Sequence, residues 1–166
     1  MLEKITYLFL FLFSRFLFIF PRKIILFLGE SFGSLMYHLF PLRKNVAKIN
    51  LQIAFPEKTK KEINYLIKKT FRHYGLLMFE FIRSYSKKIN QNIINIDSNS
   101  LDILSSKGGF ILMTGHLGNW EMMIPVISQY KKMTVIVRDH KNVGGNKFFS
   151  LCRTLKNVTL ISNKGS

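Results

Sequence analysis

Two apolar segments near the N-terminus constrain this chain more than any other feature. Residues 5–20 read ITYLFLFLFSRFLFIF, with Arg15 as the only charge, and after a PRK break residues 24–40 are apolar again but contain Glu30 and His38. A bilayer span needs about 20 apolar residues, and neither segment reaches that length cleanly. Because a charge such as that of Arg15 at mid-span costs about 2.5–3.5 kcal/mol, a short tilted span or a helix lying in the interface is favoured over two firm spans.

Two other interpretations of this front end stay open but fit less well. A signal peptide would need a shorter apolar core and a small-x-small cleavage site, and neither is present. A buried hairpin of a soluble domain is the other alternative. We predict a membrane-associated segment over 1–42 and a separate α/β domain over 43–166, where the composition changes after Pro41.

The chain is strongly basic, which restricts its partners. It has 25 Lys and Arg against 9 Asp and Glu in 166 residues, a formal net charge of +16. Such a surface attracts nucleic acid, anionic lipid head groups or an acidic protein. The basic residues are not interleaved with aromatics in any RNA-binding signature, so no nucleic acid partner is expected. An apolar content of 48% excludes a disordered tail, and a single cysteine excludes a disulfide scaffold.

Two helices are predicted directly after the apolar front. Residues 43–55 form a basic amphipathic pattern that ends at Phe55-Pro56. Thr59 and Glu62 then have the spacing of a capping box, ahead of apolar residues at helical spacing over 63–82. That apolar stripe is interpreted as core.

The hydrophobic period changes after a Lys-Gly-Gly turn at 107–109. Strands are predicted over 110–114, 134–137 and 158–161, with helices between them over 119–130 and 142–156. Asn119 is expected to cap the first of these helices and Pro125 to kink or shorten it. Strand–helix alternation of this kind predicts an α/β fold, with a partial parallel sheet flanked by helices behind the N-terminal membrane-associated helices.

One motif in this region carries chemistry. Residues 116–121, HLGNWE, place Glu121 five residues after His116, directly behind the first predicted strand, where ligands bind in parallel sheets. If the chain folds back at Gly118, the Glu121 carboxylate can accept a hydrogen bond from Nδ1–H of His116. That bond would fix the tautomer and leave Nε2 free as a base. The base could then deprotonate a substrate hydroxyl directly.

The string GGFILMTGHLGNWE resembles the His-x4-Asp/Glu block of the lysophospholipid acyltransferase superfamily. The similarity is closer to the lipid A biosynthesis acyltransferases, because RKNVAKINLQIAFP at 43–56 is similar to the family's stretch ending in N-L-x-x-A-F-P. Arg138 with Asn142 resembles the family's second block, and Arg153 resembles an arginine on the next helix. The resemblance runs over nearly all 166 residues.

The resemblance implies a membrane-bound enzyme with His116 as general base, oriented by Glu121. A fatty acyl chain would pass from acyl carrier protein or acyl-CoA, as thioester co-substrate without a further cofactor, to a hydroxyl of an anionic glycolipid such as a lipid A precursor. Substrate binding is assigned to Arg138, Asn142, Arg153 and Asn119. The resemblance places the protein in the cell inner membrane with its active site on the cytoplasmic side, and the resembled family continues beyond Ser166, so the domain is expected to be C-terminally incomplete.

The alternative from another class is a non-catalytic, membrane-attached basic lipid-binding remnant of such an enzyme. Cys152 is interpreted as a small buried hydrophobe, since no acyl-enzyme is implied. No histidine has a second His, Cys or carboxylate at metal-ligand spacing, so no metal site is predicted. The glycines at 144 and 145 lack a dinucleotide-binding pattern.

Overall fold

The structure is a computed structural model that describes residues 2–84 and 95–163, with the side chains of residues 41 and 42 left out. The described residues are mostly helical. The elements in chain order are α1 (Leu2–Ile19), α2 (Arg22–Leu39), α3 (Pro41–Ala54), α4 (Lys60–Ser84), α5 (Ser98–Ser105), a 3-10 helix (Trp120–Met122), α6 (Met123–Ile127), β1 (Met133–Val137), α7 (Val143–Arg153) and β2 (Val158–Ser162).

Helices and a parallel sheet are both present, as an α/β fold requires, but the sheet of the described residues has two strands. β1 and β2 pair in parallel, from Met133 opposite Val158 to Val137 opposite Ser162. The predicted strand over 110–114 is wrong. That segment joins no ladder, and Ile111 and Met113 are 92% and 91% exposed. An apolar segment becomes a strand only where a neighbour satisfies its backbone groups, and residues 110–114 pair with neither β1 nor β2.

The helix predicted over 119–130 is shorter than expected. It consists of one 3-10 turn followed by α6, which ends at Ile127. Asn119 precedes the 3-10 turn, but its side chain makes no capping hydrogen bond there, so the predicted cap is wrong. Pro125 lies inside α6 and lacks a backbone N–H, which agrees with the expected shortening.

The chain divides into two compact units, one formed by residues 1–16 with 81–166 and the other by residues 17–80. The two divisions fall inside α1 and α4. The domain boundary predicted between residues 42 and 43 lies within the second unit and stays a prediction.

In the second unit, α2 and α4 cross at three glycines. A Cβ on Gly33 would lie 2.2 Å from the carbonyl oxygen of Phe71, and one on Gly75 would lie 2.3 Å from the carbonyl oxygen of Gly29. The two backbones are therefore in direct contact. Two ion pairs connect the same helices, Arg22 with Glu80 and Arg72 with Glu30.

The start of α4 confirms the predicted capping box. The Thr59 N–H donates to Glu62 Oε2 at 2.8 Å, and the Glu62 N–H donates back to Thr59 Oγ1 at 3.3 Å. The buried face of α4 includes Ile63 and Ile67, which confirms that the predicted apolar stripe contributes to the core. The helix predicted over 43–55 is confirmed as α3.

In the first unit, the start of α7 packs closely on α1. A Cβ on Gly144 would lie 1.8 Å from the carbonyl oxygen of Glu3. The Lys147 ammonium lies 5.0 Å from the centroid of the Tyr7 ring, and Phe148 is completely buried. Glycine at position 144 is thus what allows α7 to begin against the α1 backbone.

The outward face of α1 is apolar. The exposed side chains Ile5, Phe9, Leu12 and Phe16 recur every three or four residues, whereas Ser14 is completely buried. Among the described residues, no single helix has both the length and the apolar composition needed to cross a bilayer; α2 and α3, bent by 96°, meet those criteria only when taken together.

Candidate active site

The site begins in the irregular segment that joins α5 to the 3-10 helix. Gly118 has φ +56°, a left-handed conformation that suits glycine and turns the chain just after His116. Further back, the Lys131 ammonium donates hydrogen bonds to the carbonyl oxygens of Ser106 and Gly108, which hold the start of the segment. The segment is therefore shaped by one turn and one lysine rather than by a strand ladder.

Glu121, in the 3-10 turn, forms a bidentate pair with Arg153 at the end of α7. Nε of Arg153 donates to Glu121 Oε2 at 2.9 Å, and a terminal guanidinium nitrogen donates to Oε1 at 2.5 Å. The two side chains are 17% and 14% exposed, so little water competes with the pair. The hydrogen bonds to Glu121 raise the pKa of Arg153 above its ordinary value. Two parallel bonds of this kind fix both direction and distance.

His116 is exposed and lies against Trp120, with 4.6 Å between the ring centroids. Among the described residues no hydrogen bond joins His116 to Glu121, whose two carboxylate oxygens each accept one hydrogen bond from Arg153. The expected His116–Glu121 hydrogen bond is therefore not formed here. The tautomer-fixing contact predicted from the spacing is replaced by an aromatic contact within the same motif.

These side chains line a cleft of about 1050 Å³. Its lining includes His116, Trp120, Glu121, Arg138, His140 and Arg153, together with residues 108–112 and the whole of β1. Arg138 follows β1, is exposed, and makes no hydrogen bond or ion pair with any residue in the described part of the chain. Among the described residues that line the cleft, the one carboxylate, Glu121, is already paired with Arg153, so the cleft presents positive charge to a ligand.

A second cavity, of about 490 Å³, adjoins the first. Phe110, Leu112, Met123 and Ile127 line both cavities. The other lining residues of the second cavity are mostly apolar: Ile96, Ser100, Ile103, Leu104, Asn119, Met122 and Val126. An apolar cavity that is open to solvent thus lies next to a cationic cleft, and Phe110 and Leu112 form part of their shared wall.

A family model described as bacterial lipid A biosynthesis acyltransferase matches residues 1–166, the full length of the sequence. The chain belongs to this family. Neither a curated protein nor a solved structure matches the chain. Family membership confirms the resemblance found in the sequence, and it assigns the chain an acyltransferase function of the lipid A biosynthesis type.

In this acyltransferase, the structure brings together some of the predicted site residues and separates others. His116, Glu121, Arg138 and Arg153 line the cleft, whereas Asn119 lines the apolar cavity. Asn142 lines neither. It caps α7 instead, with Oδ1 accepting from the Gly145 N–H at 2.8 Å and Nδ2 lying 3.5 Å from Thr6 Oγ1.

Sequence reasoning missed two side chains of the candidate site. Trp120 stands inside the motif, but its contact with His116 depends on the Gly118 turn. His140, to which the sequence pattern assigns no role, lines the cleft and packs against Phe149, with 4.7 Å between the ring centroids. Its position two residues after Arg138, at the end of a strand, was the available signal.

Proposed function

We propose that this chain transfers a fatty acyl group from a thioester, either acyl carrier protein or acyl-CoA, to a hydroxyl of a lipid A precursor. The observation that carries the proposal is the placement of His116, Glu121 and Arg153 in one cleft beside an apolar cavity. Imidazole is the side chain best suited to exchange a proton near neutral pH, and an apolar cavity suits a hydrocarbon chain.

In the proposed reaction, Nε2 of His116 accepts the proton of the acceptor hydroxyl as its oxygen attacks the thioester carbonyl. A C–O bond forms and the carbonyl oxygen becomes an oxyanion. When the tetrahedral intermediate collapses, the C–S bond breaks, and the imidazolium returns its proton to the departing thiolate. No enzyme nucleophile and no further cofactor is needed.

Glu121 supports this base as an anion, and Arg153 holds that anion in place. A carboxylate offers about four acceptor sites, so the two bonds from Arg153 leave room for His116 N–H to bind as substrate enters. We therefore propose Glu121 as the group that stabilises the imidazolium, and Arg153 as its positioning residue.

Arg138 is the proposed site for the anionic part of the acceptor. Its guanidinium is exposed in the cleft and has no partner among the described residues, and arginine binds phosphate in a bidentate manner. Asn119, in the lining of the apolar cavity, supplies a polar group beside the proposed position of the acyl chain. Asn142 acts indirectly, by fixing the start of the helix that carries Arg153.

The apolar cavity is proposed to hold the acyl chain. The test replaces Ile103, in its lining, by Phe, which shortens the space available. We expect the preferred donor to become shorter, measured by competing acyl chains of different length. Ile161→Phe, on β2 and outside both cavities, serves as the control and should leave the preference unchanged.

Membrane attachment is proposed for the front of the chain. α1 exposes an apolar face although its inner side, where Leu17 is buried, is apolar as well, and an exposed helix that is apolar on both sides suits a hydrocarbon environment. We propose the bacterial inner membrane, with the cleft on the cytoplasmic side. The excess of positive charge then favours anionic lipid and an acidic acyl carrier protein.

The proposed activity is tested with solubilised protein, labelled acyl carrier protein and a lipid A precursor. We expect His116→Ala to lower kcat by about 10²–10⁴-fold, as removal of a general base does. His73→Ala, on the exposed side of α4, is the matched control and should retain activity. Equal turnover by wild type and His116→Ala would remove the base from the mechanism. Lipid binding without turnover in either protein would instead support the lipid-binding remnant.

A further inference from the structure

α3 has an apolar stripe on its outer face that no described residue covers. Val46, Ile49 and Ile53 are 46%, 57% and 75% exposed. Their spacing of three and four residues places them on one side of the helix. The opposite side, with Ala47 and Leu51, is half-buried, and Lys44 there lies 4.4 Å from the Tyr37 ring centroid of α2.

The charge on α3 is of one sign. The helix contains Arg43, Lys44 and Lys48 and no acidic residue. Exposed phenylalanines stand at both ends, Phe40 before the helix and Phe55 after it. A cationic helix with one apolar face and aromatic residues at its ends is the composition of a helix that lies in a membrane interface.

We propose that α3 lies in the plane of an anionic phospholipid surface. The stripe of Val46, Ile49 and Ile53 would reach the boundary between head groups and acyl chains, about 5–10 Å deep. Arg43 and Lys48 would bind lipid phosphates on either side. The proposal rests on the membrane attachment proposed above and extends it to a helix of the predicted 43–166 domain.

Charge and shape favour lipid over an acidic protein as the occupant of this face. The cations match an anionic surface, and each contributes attraction when it lies near that surface. Aliphatic side chains in a line along one convex helix suit a planar apolar boundary. Protein interfaces depend more on aromatic or arginine side chains that fill pockets.

The test places an environment-sensitive fluorophore on a cysteine at position 49, in full-length protein carrying Cys152→Ser and reconstituted in vesicles. Ala54→Cys is the matched control, because it is exposed, lies on the same helix, and is turned from Ile49 by about 140° and from Ile53 by about 100°. Vesicles contain either phosphatidylcholine alone or phosphatidylcholine with phosphatidylglycerol. Lipids carry a spin-label quencher near the head group or near the chain end.

We expect the label at position 49 to shift to the blue and to be quenched by the shallow quencher, more strongly in anionic vesicles, while the label at position 54 changes little. Arg43→Gln and Lys48→Gln should each lower the ratio of inserted to free α3 about fivefold. None of these readouts needs turnover, so an inactive enzyme leaves the result interpretable.

Three results would overturn the proposal. One is equal quenching at positions 49 and 54. Another is quenching at 49 mainly by the deep quencher, which would make α3 part of an inserted segment. The last is a label at 49 that ignores lipid but shifts when an acidic acyl carrier protein is added, which would assign the stripe to a protein partner.

Discussion

The crossing of α2 and α4 and the segment that carries His116 are built in different ways. At the crossing, backbone meets backbone, because Gly29, Gly33 and Gly75 leave no room for a Cβ. The segment around His116 has no ladder and depends on individual side chains, above all the Arg153–Glu121 pair. The difference indicates that the scaffold fails when atoms are added, whereas the site fails when a single charged group is removed.

The largest effect is expected from adding one methyl group at the crossing. Gly75→Ala would place a Cβ 2.3 Å from the Gly29 carbonyl oxygen and 2.6 Å from the Gly33 nitrogen. We expect a loss of about 3 kcal/mol or more in the free energy of unfolding, although alanine favours an isolated helix by about 1 kcal/mol. Denaturant unfolding of the solubilised protein measures the loss.

The control for that substitution is Gly109→Ala. A Cβ there meets no atom within 4 Å, and its backbone is outside the left-handed region. We expect a change within about 0.5 kcal/mol. If both variants unfold at the same denaturant concentration, α2 and α4 do not cross in backbone contact.

The second largest loss of stability is expected from breaking the Arg153–Glu121 pair of the site. Arg153→Met leaves the Glu121 carboxylate partly buried without its partner, and we expect a loss of about 3 kcal/mol, the low end of the cost of breaking a buried pair. Arg72→Met is the control. Its pair with Glu30 has the same 2.5 Å nitrogen–oxygen distance, but the side chains are 45% and 42% exposed.

For that exposed pair the expected loss is about 0.2–1 kcal/mol. Both variants are compared by the same unfolding assay. Similar losses would show that the Arg153–Glu121 pair is as solvated as a surface pair. Glu121→Gln combined with Arg153→Met should recover part of the loss, because no uncompensated charge is left.

The helices of the second unit could be predicted from the sequence because their signals are local. The Thr59–Glu62 spacing predicted the start of α4, and apolar spacing predicted its buried face. The glycine crossing could not be predicted from either helix alone, since Gly75 is on a separate helix from Gly29 and Gly33 and the contact is non-local. α5 was missed, although Asp97 caps it by accepting from the Ser100 N–H.

In the site, residue identity was predictable and geometry was not. The motif led to His116 and Glu121, and the resemblance led to Arg138 and Arg153, which share a cleft. The partner of Glu121 could not be predicted, because Arg153 is 32 residues away and meets it only when α7 is folded. The strand expected at 110–114 failed for a similar reason: apolar composition gives no information on whether a pairing edge is available.

A smaller loss of stability is expected at the capping box of α4. This contact is local in the sequence, unlike the helix crossing and the Arg153–Glu121 pair. Thr59→Ala should lower the free energy of unfolding by about 1 kcal/mol, and Thr59→Ser should restore most of it. Hydrogen bonds from the Thr59 hydroxyl and N–H lower the pKa of Glu62. A carboxyl group whose pKa is lowered by folding stabilises the folded protein at pH values above its pKa in the unfolded chain. This stabilisation is lost as the pH falls through its pKa in the folded protein.

Thr59→Ala should therefore flatten the acid limb of the stability profile between those two pKa values. Unfolding midpoints recorded at neutral pH and through the acid range measure this. An acid limb that is unchanged in Thr59→Ala would mean that Glu62 is not held by Thr59 in solution.

The smallest change in activity is expected from substitution of Cys152. The reactivity of this thiol tests whether α7 stays packed in the folded protein. Burial raises the pKa of the Cys152 thiol to about 12. The thiol of the unfolded protein has a pKa of about 8.5. The folded protein should therefore react slowly with iodoacetamide at pH 8, and the unfolded protein should react quickly. Because the pKa of the thiol is higher in the folded protein, its contribution to the free energy of unfolding is fully present at pH values below the pKa of the unfolded thiol. That contribution declines as the pH rises toward 12. Cys152→Ser should change the rate of acyl transfer little, as no acyl-enzyme is proposed. Fast alkylation of the native protein would show that α7 opens readily, and Arg153 could then not hold Glu121 in a fixed position.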